Sequence, residues 1–211
     1  MVAQSPVSDS QVTPRFAPGT NPSAAQERGL ELFEASITKK MQVYSIEEKG
    51  VTDYSGGFYL YVTASSQISD MNPRFREMME QVKSYAEKNS IRLTGPPFAI
   101  YHRFDQEQGT TMFSVGFPVS ERVIVESDSE VVSGYMKRGS YYKVVLTGSY
   151  EHSKEAWESA VAGASKLGAY DAIENGEPFE IYVKMIDDTP NPAEWVTEIF
   201  IPVKLKLSPG A

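Results

Sequence analysis

A seven-residue stretch occurs twice in this chain, and the repeat constrains the fold more than any other feature. Gly95-Pro96-Pro97-Phe98-Ala99-Ile100-Tyr101 and Gly176-Glu177-Pro178-Phe179-Glu180-Ile181-Tyr182 agree at Gly, the second Pro, Phe, Ile and Tyr. In each copy Gly and Pro mark a turn, and the residues after Pro alternate as a β-strand does. Phe179, Ile181 and Val183 point to one face; Glu180, Tyr182 and Lys184 point to the other. If the Phe179 face is core, the Glu180 face is either water or the lining of a cavity. The two copies differ at one telling position, where Ala99 stands in the first for Glu180 in the second.

The surrounding chain repeats in the same order. In the first half Gln42–Ile46 and Phe58–Thr63 read as strands around the turn Asp53–Gly57. Asn72-Pro73 reads as a helix N-cap and first turn. Phe75, Met78, Met79, Val82, Tyr85 and Ala86 then share one helical face. The repeated motif follows, and Met112–Val119 closes the half. In the second half Ser140–Thr147 is a strand and Ser153 a helix N-cap. Ala156, Trp157, Ala160, Val161, Ala164 and Leu167 form an apolar helical stripe. The motif returns, an acidic, Pro-rich loop spans Asp187–Pro192, and Trp195–Val203 closes. Pro202-Val203 answers Pro118-Val119, and Asp128–Arg138 reads as a polar join. Each half is thus strand, helix, strand, strand.

One such half leaves costly edges and faces. Two halves related by a pseudo-twofold axis can form one antiparallel sheet with both helices on one side, the other side curving into a cleft at the axis. The expectation is an α+β domain over residues 41–207, with halves at about 41–125 and 135–207. Residues 1–40 read as a polar, disordered tail running to about residue 27, then a short lead-in helix through Leu30, Leu32, Phe33, Ile37 and Met41.

Composition narrows the function. The net charge is −8, and no Lys/Arg cluster offers a phosphate-tracking surface, so nucleic acid is not an expected partner of this chain. With no Cys and two histidines, His102 and His152, neither a thiolate nucleophile nor a metal site is expected. No apolar run approaches the roughly 20 residues that span a bilayer. The N-terminus lacks signal-peptide features, and a cytoplasmic protein is the default expectation. No cofactor is indicated.

Together these features resemble the gyrase-inhibitor-like (GyrI-like) small-molecule-binding domain, also found as the effector-binding domain of AraC-type and MerR-type multidrug-responsive regulators. The resemblance rests on the two-half layout, the stretches at 95–101 and 176–182, and Trp195-Val-Thr-Glu-Ile-Phe-Ile-Pro-Val at 195–203. It implies a bacterial protein with an aromatic pocket for a hydrophobic, cationic small molecule, a carboxylate at the pocket floor, and Glu180 as that carboxylate with Tyr182 beside it. Tyr101, Trp157, Trp195, Tyr59 and Tyr61 are the candidate walls. A buried carboxylate without a partner is expensive, so such a group protonates or waits for a cation. No helix-turn-helix precedes the domain here, so the expectation is a stand-alone sensor or sequestering module, or a domain cut from a larger protein. A preceding domain or partner would join through the tail. Two alternatives stay open: a hydrolase in which Glu180 and Tyr182 or Tyr101 activate water, and a protein-interaction inhibitor of the gyrase-inhibitor type. His102 reads as a surface or packing histidine, and His152 as structural.

Overall fold

The structure, a computed structural model, describes residues 24–105, 107–173 and 176–206. In chain order the elements are α1 (Ala24–Met41), β1 (Ser45–Tyr54), β2 (Gly57–Gln67), α2 (Met71–Lys88), β3 (Phe98–Asp105), β4 (Thr110–Val119), β5 (Val132–Met136), β6 (Gly139–Thr147), α3 (Ser153–Ser165), β7 (Tyr170–Ala172), β8 (Phe179–Lys184) and β9 (Val196–Leu205). The strands form one antiparallel sheet in the order β1-β6-β9-β8-β3-β4-β2-β5, with β7 added beside β9. The fold is the α+β arrangement read from the repeat.

Strand alternation decides which residues face the helices. On β2, Leu60 and Val62 point into a layer with Phe75, Met78, Met79, Val82 and Ala86 of α2, as the helical spacing predicts. In the second half Val144, Leu146 and Ile199 pack against Ala156, Ala160 and Ala164 of α3. That stripe is small because the helix lies close to the sheet: a Cβ on Gly163 would stand 2.3 Å from the Tyr142 hydroxyl oxygen.

The copies of the motif meet at the centre. β3 and β8 pair antiparallel with Phe98 opposite Ile181, Ala99 opposite Glu180, and Ile100 opposite Phe179. The register is symmetric about the Ala99–Glu180 pair, so the pseudo-twofold passes between those two residues. Two equivalent bonds frame it: Tyr101 N–H donates to Pro178 O at 3.0 Å, and Tyr182 N–H to Pro97 O at 2.9 Å. The repeated glycines have a matching cause. A Cβ on Gly95 would come within 2.9 Å of the Pro118 ring, and one on Gly176 within 2.5 Å of the Pro202 ring. Turn and closing strand were therefore duplicated as a packed unit.

Several sequence readings need correction. β1 runs Ser45–Tyr54 rather than Gln42–Ile46. Its run of Glu47, Glu48 and Lys49 hides the alternation, but charge is tolerated on an edge strand, and pairing with β6 supplies the order. The supposed join Asp128–Arg138 contains β5, which pairs with β2. The helix expected to start at Pro73 behind an Asn72 N-cap begins two residues earlier, at Met71, and its N-cap is Asp70, which makes no side-chain cap bond. α1 begins at Ala24, within the segment read as tail; residues 1–23 of that reading lie outside the described residues, as does Leu207 at the domain's far end. The side of the sheet opposite the helices is not an open cleft. It carries a second core of Phe98, Ile100, Phe179 and Phe200, closed over by Tyr54, Tyr59, Tyr141, Met136 and Ile181.

β1 and β5 cross over: each precedes one half's first strand in sequence but pairs with the first strand of the other half. The short links after them therefore touch. Gly56 has φ +70°, and a Cβ there would stand 2.3 Å from Met136 O and 2.8 Å from Arg138 N, both backbone atoms. Gly56→Ala thus adds a left-handed-region penalty to a clash that no side chain can relieve. The expected result is a loss of more than about 2 kcal/mol in urea denaturation.

Candidate ligand-binding site

Glu180 shares its sheet face with its neighbours Ala99 on β3 and Ile199 on β9. Both belong to the helix-covered layers, so the carboxylate lies between sheet and helices, where α2 and α3 flank the axis. It is 4% exposed. Three donors meet it: the Tyr101 hydroxyl at 2.5 Å, the Tyr182 hydroxyl, which shares Oε1, and the Trp157 indole N–H at 3.1 Å on Oε2. All three are neutral. Among the described residues no ion pair reaches Glu180.

The rings repeat the twofold. Phe75 of α2, in the first half, lies 4.6 Å from the ring of Tyr182 in the second; Trp157 of α3, in the second half, meets Tyr101 of the first edge-on at 5.2 Å. Each helix thus braces the other half's tyrosine. Tyr150, in a 3-10 turn (Tyr150–His152) ahead of α3, stands edge-on to Tyr182 and stacks on Trp195 at 4.7 Å. The Trp195 indole N–H is held by Thr189 O at 2.9 Å. A cleft of about 350 Å³ adjoins this cluster, lined by Met79, Pro96, Pro97, Tyr182 and Met185 together with Asp187, Asp188 and Lys83, which lies 3.5 Å from Asp187. The Glu180 carboxylate does not line the cleft; Tyr182 does, and stands between the two.

The structure brings Tyr101, Tyr182 and Trp157 to Glu180 and places Trp195 two rings away. It does not bring Tyr59 and Tyr61. These two alternate with Leu60 and Val62, so they fall on the opposite face, where Tyr59 meets Phe98 edge-on at 5.2 Å. Phe75 and Tyr150 went unread. The apolar stripe of α2 marked Phe75 as core, which it also is; Tyr150 lies in a turn with no periodicity to flag it. His102 is more than a packing histidine. Its Nδ1 meets Glu177 at 2.7 Å and its Nε2 meets Ser114 Oγ at 2.6 Å, which in turn pairs with Thr63 Oγ1 at 2.7 Å. The order resembles a nucleophilic triad, but Ser114 is fully buried. The chain ties the turn before β8 to the first half. His152 Nε2–H donates to Met41 O at 2.9 Å and its ring stacks on Tyr44, a structural role. No cluster of three or more metal-ligating side chains occurs among the described residues, and no helix there is long and apolar enough to cross a membrane.

Burial pushes the Glu180 carboxyl above its ordinary 4.5, and the Tyr101, Tyr182 and Trp157 donors offset part of the rise. Burial, with the nearby Glu180 charge, pushes the Tyr101 and Tyr182 phenols well above 10. An acid with a raised folded pKa favours the folded state fully below its unfolded value, and that contribution is lost as pH rises through the folded value. Glu180→Gln lacks this titration. Its stability relative to wild type should therefore improve as pH goes from 4 to 8 in urea denaturation; a change in the opposite direction would mean that the donors outweigh burial.

A family model described as the GyrI-like small molecule binding domain matches residues 59–204. A sequence comparison with curated proteins finds no match. Among solved structures, the EcmrR C-terminal domain superposes with a TM-score of 0.65 at 15% identity, over 78% of this chain and 100% of that one. EcmrR in its DNA complex gives the same score and identity over 85% of this chain, which spans 64% of the EcmrR chain. SAV2435, solved bound to tetraphenylphosphonium, gives a TM-score of 0.51 at 14% identity, over 75% of this chain and 94% of that one.

Proposed function

We propose that this chain, which belongs to the GyrI-like small-molecule-binding family, takes up a hydrophobic organic cation and uses Glu180 as its counter-ion. One observation carries the reading: the carboxylate is 4% exposed, yet only two phenols and an indole meet it. A positive ligand supplies what these partners lack. It also gains from the faces of Tyr101, Tyr182 and Trp157, about 0.5–2 kcal/mol each. SAV2435, a structural neighbour, was solved with such a cation.

The cleft beside Tyr182 is the route in. A ligand entering between Met79 and Pro97 meets the acidic lip of Asp187 and Asp188, then the Tyr182 ring. Rotation of that ring opens the way to Glu180 and releases a hydroxyl from Oε1. At that oxygen the exchange trades the phenol's hydrogen bond for the attraction of the ligand charge. In the hydrolytic alternative a tyrosine would give up its proton, and the upward shift of both phenols makes them weaker acids, which favours binding without turnover.

The test is a fluorescence titration, with Trp157 at the site as reporter, of wild type and Glu180→Gln. The probes are tetraphenylphosphonium and the neutral triphenylphosphine. Wild type should bind the cation at least about tenfold more tightly than the neutral phosphine, and Glu180→Gln should lose most of that preference, as expected for one buried charge-assisted contact. Equal affinities in wild type and variant would sink the counter-ion role. For turnover, the same proteins are incubated with a panel of lipophilic esters and epoxides; mass spectrometry finding product with wild type and none with Glu180→Gln would establish a hydrolase instead.

A further inference from the structure

Two shielded hydroxyls near Glu180 have no hydrogen-bond partner. They are Oγ1 of Thr197, a residue 1% exposed, and the phenolic oxygen of Tyr150. Thr197 on β9 is the cross-strand partner of Tyr182. It therefore lies on the helix-covered face, one diagonal step from Glu180, whose own partner on that strand is Ile199. Tyr150 stands edge-on to the same Tyr182 at 5.8 Å. Burial raises its pKa, as do Glu180 and the pair Asp187 and Asp188, while Arg76 pulls it down. Its hydroxyl thus lies in the field of both the buried carboxylate and the acidic lip.

Buried hydroxyls are paired in the large majority of cases, so two orphans around one tyrosine call for a cause. Acceptors nearby are already engaged. Glu180 takes three donors, Asp188 accepts from Met185 N–H at 2.8 Å, and Asp187 faces Lys83 at 3.5 Å. The two O–H groups lack a neutral acceptor. Tyr182, which borders the cleft, is the neighbour that both residues share.

We infer that the cation bound here carries a hydrogen-bond acceptor, a carbonyl or ether oxygen, which the hydroxyls of Tyr150 and Thr197 receive while Glu180 takes the charge. The inference rests on the counter-ion reading above and adds a rule of selectivity. A site with donors placed for an oxygen discriminates against the analogue that lacks it, because the donors are then left unpaired. A cation with no hydrogen-bond acceptor, such as tetraphenylphosphonium, would be a weak surrogate for the natural ligand.

The measurement compares tetraphenylphosphonium with its 3-acetylphenyl and 4-acetylphenyl analogues, which keep the charge and add one carbonyl. Titrations use wild type, Thr197→Val, Tyr150→Phe, the double variant and Glu180→Gln. Wild type should prefer one acetylated ion by about tenfold, and the double variant should bring that preference to within about twofold. Thr197→Val should unfold at the same or higher urea concentration than wild type, because the hydroxyl it removes is unpaired; Tyr150→Phe keeps the ring stack on Trp195, so at least one variant reports binding from a folded protein. Glu180-dependent binding of tetraphenylphosphonium with no preference for either acetylated ion would overturn this inference alone, as would a preference that survives in the double variant. Binding that ignores Glu180→Gln, or no binding of any ion, would overturn it together with the counter-ion reading.

Discussion

Everything in this molecule turns on a pair of residues that face each other across a pseudo-twofold axis, Ala99 and Glu180. A faithful duplication would put the same side chain at both positions, with Cβ atoms about 4.5–5.5 Å apart. Two carboxylates there, shut between sheet and helices, would force one to keep its proton. One carboxylate and one methyl avoid this conflict. The axis then holds a single acid, and the duplicated tyrosines on either side both turn their hydroxyls to that acid. The asymmetry of one residue sets a single buried charge on an otherwise symmetric seam.

The rest of the fold serves that seam. The helices do not simply cover their own halves, because Phe75 and Trp157 each reach across to the other half's tyrosine. The opposite face of the sheet is filled rather than hollow: Phe179 and Phe200 stack at 4.7 Å, and Tyr54 and Tyr141 lean on both. A floor packed from below in this way supports the strand that carries Glu180, while Tyr182, on the face of that strand away from the floor, borders the cleft.

The repeat made the sheet, both central helices and the special status of Glu180 legible, because each depends on a short pattern: alternation, a helical stripe, or a position that breaks symmetry. Three features stayed hidden for physical reasons. β1 and β5 are edge strands, one rich in charge and one embedded in a polar stretch, and only their cross-pairing orders them. The face assignment of Tyr59 and Tyr61 followed from counting along β2, but which face carried the site depended on the register of β3 against β8, which no local pattern encodes. Tyr150 joins the cluster because a turn lands beside Tyr182, a fact of packing alone. Conversely Trp157, whose stripe suggested core, serves both purposes: its ring packs and its N–H reaches the carboxylate.

The crossed arms bear on where such a fold comes from. Since β1 completes the second half and β5 completes the first, no half contains its own full set of strands. A half-length ancestor with one arm, one helix and three strands would have closed its sheet only by lending the arm to a second copy and borrowing that copy's arm in return. Such an ancestor would be an obligate, interlocked homodimer with the Ala99–Glu180 seam on its symmetry axis. A homodimer must carry two acids or none at that point, whereas a single chain with two copies can carry one.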